Sequence, residues 1–240
     1  VTGTLALFGG PKTAAEPFPA WPRLSDKAQA EAAAVLASGR LVQSAGPRVA
    51  AFEAAFAAWV GVPHAVAVAN GTAALHAALA ALGVGAGDEV LVPAHTFVAT
   101  PLAVLHACAR PVFCDVTDDQ TIDPRAIDEL ATARTRAVIA VHLYGVMCDM
   151  GRILERAKAR GMAVIEDCAQ ALGGEWQGRR AGTLGGAGCF SFSQVKHLTT
   201  AGEGGMVVSA DGEAAARVRS LADLGRQRGG DAAVLPHART

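Results

Sequence analysis

Charged residues are scarce in this 240-residue chain. They make up 18% of it, and 21 Lys and Arg against 22 Asp and Glu give a net charge of −1. A chain without a basic excess lacks the electrostatic signature of a dedicated nucleic-acid-binding protein, so we expect no nucleic-acid partner. No apolar run reaches the roughly 18 residues of a membrane span, and the N-terminus has no charged-then-apolar signal pattern. We therefore expect a soluble, cytoplasmic protein without a membrane partner.

Cysteine and lysine are also few. The five cysteines are odd in number and form no C-x-x-C pair, and the seven histidines are dispersed without an H-E-x-x-H motif. This pattern is typical of buried thiols in a reducing compartment, and we expect neither a disulfide framework nor a metal site. Chemistry that needs a primary amine has only four candidates, which are Lys12, Lys27, Lys158 and Lys196.

Short apolar segments that read as strands alternate with helical segments along almost the whole chain. The predicted strands are 64–69, 89–94, 111–116, 137–143, 162–167, 188–193 and 205–210. The predicted helices are 26–38, 49–61, 71–82, 98–107, one that begins at about 124, 149–160 and 211–224. This alternation predicts an α/β fold with a mainly parallel sheet sandwiched by helices. Ligands of such sheets bind at the carboxyl ends of the strands.

The first candidate segment at a strand end is Asn70-Gly71-Thr72, which turns directly into a helix. A helix start presents free backbone N–H groups to an anion, and a glycine lets the anion approach closely. An ordinary capped helix start explains the same residues, and taken alone it is the better interpretation.

The second candidate segment is VIEDCAQ, in which Glu166 and Asp167 end an apolar strand. A buried aspartate can hold a heteroaromatic N–H as a charged, hydrogen-bonded pair, and Gln170 could reach the same ligand. An aspartate that caps the following loop is an equal contender.

The third candidate is Lys196, which lies in polar sequence between two apolar strands and is followed by the Gly202–Gly205 segment GEGG. Desolvation can turn a lysine into a nucleophile that forms a Schiff base, although most lone lysines are simply solvated. The glycines favour a backbone packed closely against a ligand. An anion cradle, a strand-end aspartate and a loop lysine in this order together indicate a pyridoxal phosphate (PLP) site.

From about Phe18 to about Leu224 the sequence resembles the PLP-dependent sugar aminotransferases of the DegT/DnrJ/EryC1/StrS family. The matching segments are NGTAALHAAL, EVLVPAHTFVAT, VHLYGVMCDM, VIEDCAQALGGEWQGRRAGTLG and FSFSQVKHLTTAGEGG. The resemblance implies an aspartate-aminotransferase-like large domain of PLP fold type I over residues 1–225. Residues 226–240 would be a loop or terminus, and the small C-terminal domain of the family would be absent from these 240 residues.

The resemblance also implies roles for individual residues. Lys196 would form the Schiff base with PLP and shuttle a proton, and Asp167 would keep the pyridine nitrogen protonated. The implied cofactor-binding set is Gly71, Thr72, Phe97, Asp167, Gln170, Ser191 and Lys196. His95, His142 and Tyr144 would line the substrate side, although a packed, hydrogen-bonded histidine is an equal interpretation for either histidine.

The reaction implied by the family moves an amino group from glutamine or glutamate to a keto-sugar or keto-cyclitol, in a homodimer. The segments PFPAWP, EWQGRRAG and FSFSQVK resemble the cyclitol and 3-amino-5-hydroxybenzoate branch of antibiotic biosynthesis most, with nucleotide-linked sugars as the alternative acceptors. A PLP-binding module without turnover is a second hypothesis. A Rossmann-type dehydrogenase is a third, but Asn70-Gly71-Thr72 does not supply its glycine fingerprint.

Overall fold

The computed structural model describes residues 3–14 and 16–226. The helices are α1 (Asp26–Ser38), α2 (Arg48–Val60), α3 (Gly71–Ala81), α4 (Ala99–His106), α5 (Arg125–Leu130), α6 (Met150–Ala159) and α7 (Gly212–Ala222). Across the described ranges, none of them combines the length and the apolar character that a membrane crossing requires. Of the loop or terminus predicted at 226–240, residues 227–240 lie outside the described part of the chain.

The strands occur where the apolar segments predict them, with one addition. They are β1 (His64–Val68), β2 (Glu89–Pro93), β3 (Arg110–Cys114), β4 (Thr135–Val141), β5 (Ala163–Asp167), β6 (Glu175–Trp176), β7 (Arg179–Arg180), β8 (Ala187–Ser191) and β9 (Gly205–Ser209). The addition is the hairpin of β6 and β7, whose strands have two residues each and are too short to show an apolar pattern.

Seven of these strands form one sheet in the order β1-β9-β8-β5-β4-β2-β3. The strand pairs from β8 to β3 are parallel, as predicted, and β9 runs antiparallel to both β8 and β1. Helices cover both faces, so the expected α/β class with a mainly parallel sheet is confirmed. The carboxyl ends of β4, β5 and β8 therefore meet at one edge.

Apolar side chains alternate between the two faces of the sheet, as the two-residue period of a strand requires. On β4, Ile139 packs with α3 and α4, whereas its neighbours Val138 and Ala140 pack with α5 and α6. Along β5 the same alternation places Ile165 on the α3 and α4 side and Val164 on the α5 and α6 side. It therefore turns the two carboxylates that end β5 to opposite faces.

Candidate active site

A pocket of about 510 Å³ lies where the carboxyl ends of β4, β5 and β8 meet the first turns of α3 and α4. This volume is in the range of sites that bind small molecules. Every residue of the predicted cofactor-binding set lines it: Gly71, Thr72, Phe97, Asp167, Gln170, Ser191 and Lys196. The structure thus brings together residues that are up to about 125 positions apart in the chain.

One end of the pocket is the start of α3. Asn70 caps this helix, because its side-chain oxygen accepts a hydrogen bond of 2.8 Å from the Ala73 N–H. The N–H groups of Gly71 and Thr72 have no partner within the helix and carry its positive dipole end. Ser191 is adjacent, since a Cβ at Gly71 would stand 2.8 Å from the Ser191 Cβ. This end suits an anion held by two backbone donors and two hydroxyls.

Asp167 also lines this pocket and is almost fully buried. Its Oδ2 accepts a hydrogen bond of 3.1 Å from the Thr100 hydroxyl, and its Oδ1 accepts one of 3.1 Å from the Ala169 N–H. Burial raises the pKa of the Asp167 carboxyl, and these two hydrogen bonds oppose the rise, as does the positive charge of Lys196 more weakly. A buried carboxylate on a pocket wall suits a ligand with a cationic N–H group.

Lys196 lies in the loop that joins β8 to β9. A hydrogen bond of 2.7 Å from the Phe192 N–H to the Gly204 carbonyl closes the loop at its base, and the Lys196 N–H donates to the Ser193 carbonyl at 2.9 Å. The side chain is half-buried, and its Nζ lies 6.0 Å from the centre of the Phe97 ring. The lysine therefore faces the pocket rather than open solvent.

Gln170 is held by the loop after β4. Its Oε1 accepts a hydrogen bond of 2.9 Å from the Tyr144 N–H, which leaves both protons of its amide nitrogen free to donate. Tyr144 has a left-handed backbone with φ of 54°, and its exposed ring meets the exposed His95 ring edge-on at 5.9 Å between centroids. Neither Tyr144 nor His95 is among the residues that line the pocket, so both lie beside it, next to Gln170.

His142 does not line the substrate side, which corrects one of the two interpretations of the sequence. It is fully buried on the face of the sheet opposite Asp167. Its Nδ1 accepts a hydrogen bond of 3.2 Å from the Cys148 N–H, so its Nε2 carries the proton and donates to Glu166 at 3.0 Å. The packed, hydrogen-bonded histidine is the interpretation that the structure supports.

Glu166 is a structural carboxylate rather than a site residue. Besides His142, it accepts three backbone hydrogen bonds of 2.7 to 3.0 Å, from the N–H groups of Gly182, Leu184 and Gly185. Together with Cys168, the pair forms the one cluster of potential metal ligands within residues 3–14 and 16–226. The lone pairs of the Glu166 carboxylate already accept hydrogen bonds from protein donors. Glu166 therefore stabilises the 182–185 loop.

The sequence did not single out several residues that line the pocket or support it. These residues are Thr96, Thr100, Ser193 and Glu203. Thr100 had a detectable signal, because it is a hydroxyl in the first turn of an otherwise apolar helix that starts just after a strand end. The others follow from which loops meet, which depends on the sheet order.

Comparison with known proteins gives a consistent result. Residues 22–236 match the DegT/DnrJ/EryC1/StrS aminotransferase family. The chain is 45% identical over 229 residues to an L-glutamine:2-deoxy-scyllo-inosose aminotransferase of Streptomyces fradiae, covering 92% of this chain and 54% of that protein. It is 49% identical over 176 residues to a UDP-N-acetyl-3-dehydro-alpha-D-glucosamine 3-aminotransferase of Acidithiobacillus ferrooxidans, covering 73% and 48%.

A solved structure of 3-amino-5-hydroxybenzoic acid synthase is similar in both fold and sequence. It superimposes with a TM-score of 0.85 at 38% identity and covers 92% of this chain and 58% of that one. The chain spans about half the length of the curated relatives it matches.

Proposed function

Because the chain belongs to the DegT/DnrJ/EryC1/StrS aminotransferase family, we propose that it forms the PLP-binding large domain, over residues 1–225, of an aminotransferase. The observation that carries the proposal is that a half-buried lysine, a buried carboxylate and a helix start with free backbone N–H groups line one pocket together. The reaction would move an amino group from glutamine or glutamate to a keto-sugar or keto-cyclitol.

The residues of the pocket fit PLP at each of its chemically distinct groups. The start of α3 and Ser191 suit the phosphate, Asp167 suits the pyridine N–H, and the free amide protons of Gln170 suit the phenolic oxygen. Phe97 offers a ring face for stacking. When bound, PLP supplies an electron-withdrawing ring that stabilises negative charge on the substrate carbon.

Lys196 would have two tasks in this reaction. Its Nζ would hold the cofactor covalently between turnovers, and once the substrate amine has replaced it, the freed amine would move a proton at the substrate carbon. The closed base of the β8–β9 loop and the place of Lys196 in the pocket lining would keep this amine within reach in both tasks.

Asp167 would act electrostatically and without transferring a proton to substrate. As an anion it would retain the proton on the pyridine nitrogen, and each unit by which it raises the pKa of that nitrogen is worth about 1.4 kcal/mol. The hydrogen bonds from Thr100 and Ala169 support the anionic form.

Relatives support a cyclitol or related ring as the acceptor and L-glutamine as the donor. The S. fradiae relative is named for both, and the 3-amino-5-hydroxybenzoic acid synthase structure falls in the branch that the sequence resembles. The UDP-sugar aminotransferase of A. ferrooxidans supports the nucleotide-linked alternative. Purified protein charged with amine from L-glutamine and offered each ketone class would distinguish these acceptors.

Replacing the lysine tests the proposed activity. We expect Lys196→Ala to abolish amino transfer from L-glutamine or L-glutamate to the cofactor, followed as the change in the visible absorption of bound PLP. Lys158→Ala, at an exposed position of α6, is the matched control and should react as the unaltered protein does. Unaltered protein that binds PLP covalently but never reacts with either donor would instead support the PLP-binding module without turnover.

We further propose a homodimer in the cytoplasm. Val98, Leu102 and Leu105 follow each other at helical spacing beside the pocket and are 55%, 38% and 54% exposed. Such an apolar stripe suits a second copy of the chain. We expect Leu105→Asp to shift the protein from dimer to monomer in sedimentation velocity, and a monomer before the substitution would refute the dimer.

The proposed cytoplasmic location is supported by the cysteines. All five are free thiols, which is typical of a reducing compartment.

A further inference from the structure

Thr100 is a fully buried hydroxyl to which neither the motifs nor the proposed cofactor contacts give a task. It lies in the first turn of α4, with 0% of its surface exposed. Its Oγ1 is 2.8 Å from the Thr96 Oγ1 and 3.1 Å from the Asp167 Oδ2. The three side chains form a short chain of hydrogen bonds that runs from the pocket wall to the buried carboxylate.

The number of protons fixes the direction of this chain. A threonine hydroxyl has one proton, and an ionised carboxylate can only accept. When Asp167 is ionised, Thr100 must therefore donate to Asp167 and accept from Thr96. If Asp167 instead carried a proton on Oδ2 and donated it to Thr100, the Thr100 hydroxyl would have to turn its own proton away from Oδ2. The arrangement thus favours the ionised carboxylate.

We propose that Thr100, oriented by Thr96, is the positioning residue that holds Asp167 ionised and aimed at the ring nitrogen of the cofactor. This inference rests on the proposed function, because it gives Asp167 a cationic partner in the pocket. This role depends on the Thr100 hydroxyl. A packing role would depend only on the methyl group and the volume of the side chain.

The surroundings of Asp167 explain why a second donor matters. Burial works against the charge of the carboxylate, and the Ala169 N–H satisfies only Oδ1. The titratable groups that interact with it are His142, Cys148, Cys168, Cys189 and Lys196. Of these groups, the ammonium of Lys196 favours the charged form of Asp167. Without Thr100, Oδ2 would have no donor from the described protein groups.

Two substitutions separate the hydroxyl from the shape of the side chain. Thr100→Val keeps the shape and removes the hydroxyl, whereas Thr100→Ser keeps the hydroxyl. Thr117→Val is the matched control, because the Thr117 hydroxyl donates to the Thr121 carbonyl in a different part of the molecule. Each variant is first checked for native thermal unfolding.

The first readout needs no cofactor. In protein with ¹³C-labelled aspartate, the carboxyl resonance of Asp167, assigned with Asp167→Asn, is titrated with pH. We expect the Asp167 pKa to be higher in Thr100→Val than in the unaltered protein, with Thr100→Ser close to the unaltered value. An unchanged titration in Thr100→Val overturns the inference, whatever PLP does.

The second readout uses PLP labelled with ¹⁵N at the ring nitrogen. We expect Thr100→Val to bind PLP about tenfold more weakly, and its bound ring nitrogen to lose the proton at lower pH. Thr100→Ser and Thr117→Val should match the unaltered protein. Equal loss in Thr100→Ser and Thr100→Val would mean that packing alone matters and would overturn the inference. Failure of the unaltered protein to bind PLP would refute the proposed function instead, while the cofactor-free titration would still report on Thr100.

Discussion

Glu166 and Asp167 are chemically similar neighbours with opposite uses, and the geometry of a strand separates them. Successive side chains of β5 point to opposite faces of the sheet. Glu166 is turned to the α5 and α6 side, where four protein donors surround it. Asp167 is turned to the α3 and α4 side, where it keeps capacity for a ligand. The sequence alone leaves open which of the two faces the pocket.

We expect Glu166→Gln to lower the free energy of unfolding by about 3–5 kcal/mol, because an amide cannot accept all four hydrogen bonds and places its own protons against N–H donors. Urea unfolding would measure the change. Glu155→Gln, at an exposed position of α6, should stay within about 0.5 kcal/mol of the unaltered protein. A Glu166→Gln protein as stable as this control would contradict the structural role of Glu166.

At the scale of elements, the start of α3 depends on small residues where it meets the β-sheet. A Cβ at Gly71 would stand 2.8 Å from the Ser191 Cβ, and one at Gly205 would stand 2.3 Å from the Asn70 carbonyl oxygen. Real side chains do not approach so closely, so the helix start would have to move away from β8 and β9. The position of its free N–H groups is therefore set by two glycines.

Gly71→Ala tests this dependence. We expect it to cost about 1–3 kcal/mol of stability through overpacking and to weaken the binding of PLP or inorganic phosphate. Gly85→Ala is the control, because a Cβ there meets nothing within 4 Å and the backbone is not left-handed. Calorimetric titration would show the difference, and phosphate binding that is equal in the two variants would rule out Gly71 as part of the anion cradle.

The elements themselves were largely predictable, whereas their contacts were only partly so. Apolar runs such as 64–69 and 205–210 revealed the strands, because a buried strand of a parallel sheet has few polar residues. The direction of β9 could not be read in this way, since an apolar run looks the same in either direction. The burial of His142 and the bond from Thr100 to Asp167 depend on the packing of distant segments, which a single sequence does not encode locally.

For the whole molecule, the pocket has a cost in stability. The pKa of Asp167 is raised in the folded protein above its ordinary value of 3.8, so the folded state retains this proton to higher pH than the unfolded state does. At a pH below the ordinary pKa of 3.8, the Asp167 carboxyl is protonated in both states and costs the folded state no stability. As the pH rises from 3.8 to the raised pKa, the free energy of unfolding falls, because the unfolded state loses this proton first. Above that interval the penalty is constant.

Asp167→Asn removes this penalty. In cofactor-free protein we expect the stability of the variant relative to the unaltered protein to increase as the pH rises from about 4, and then to level off. Urea unfolding of both proteins from about pH 4 to about pH 8 would show it. A difference in stability that does not vary with pH, or that decreases with rising pH, would contradict the raised pKa of Asp167.

The central claim is that Lys196 holds PLP in this pocket, and chemical trapping tests it most directly. The protein is mixed with PLP, its visible spectrum is recorded, and the bond is reduced with borohydride before peptide mapping. The account predicts a yellow absorption band that reduction removes, with the label on Lys196 and on none of Lys12, Lys27 and Lys158. A label distributed over several lysines, or no band at all, would contradict it.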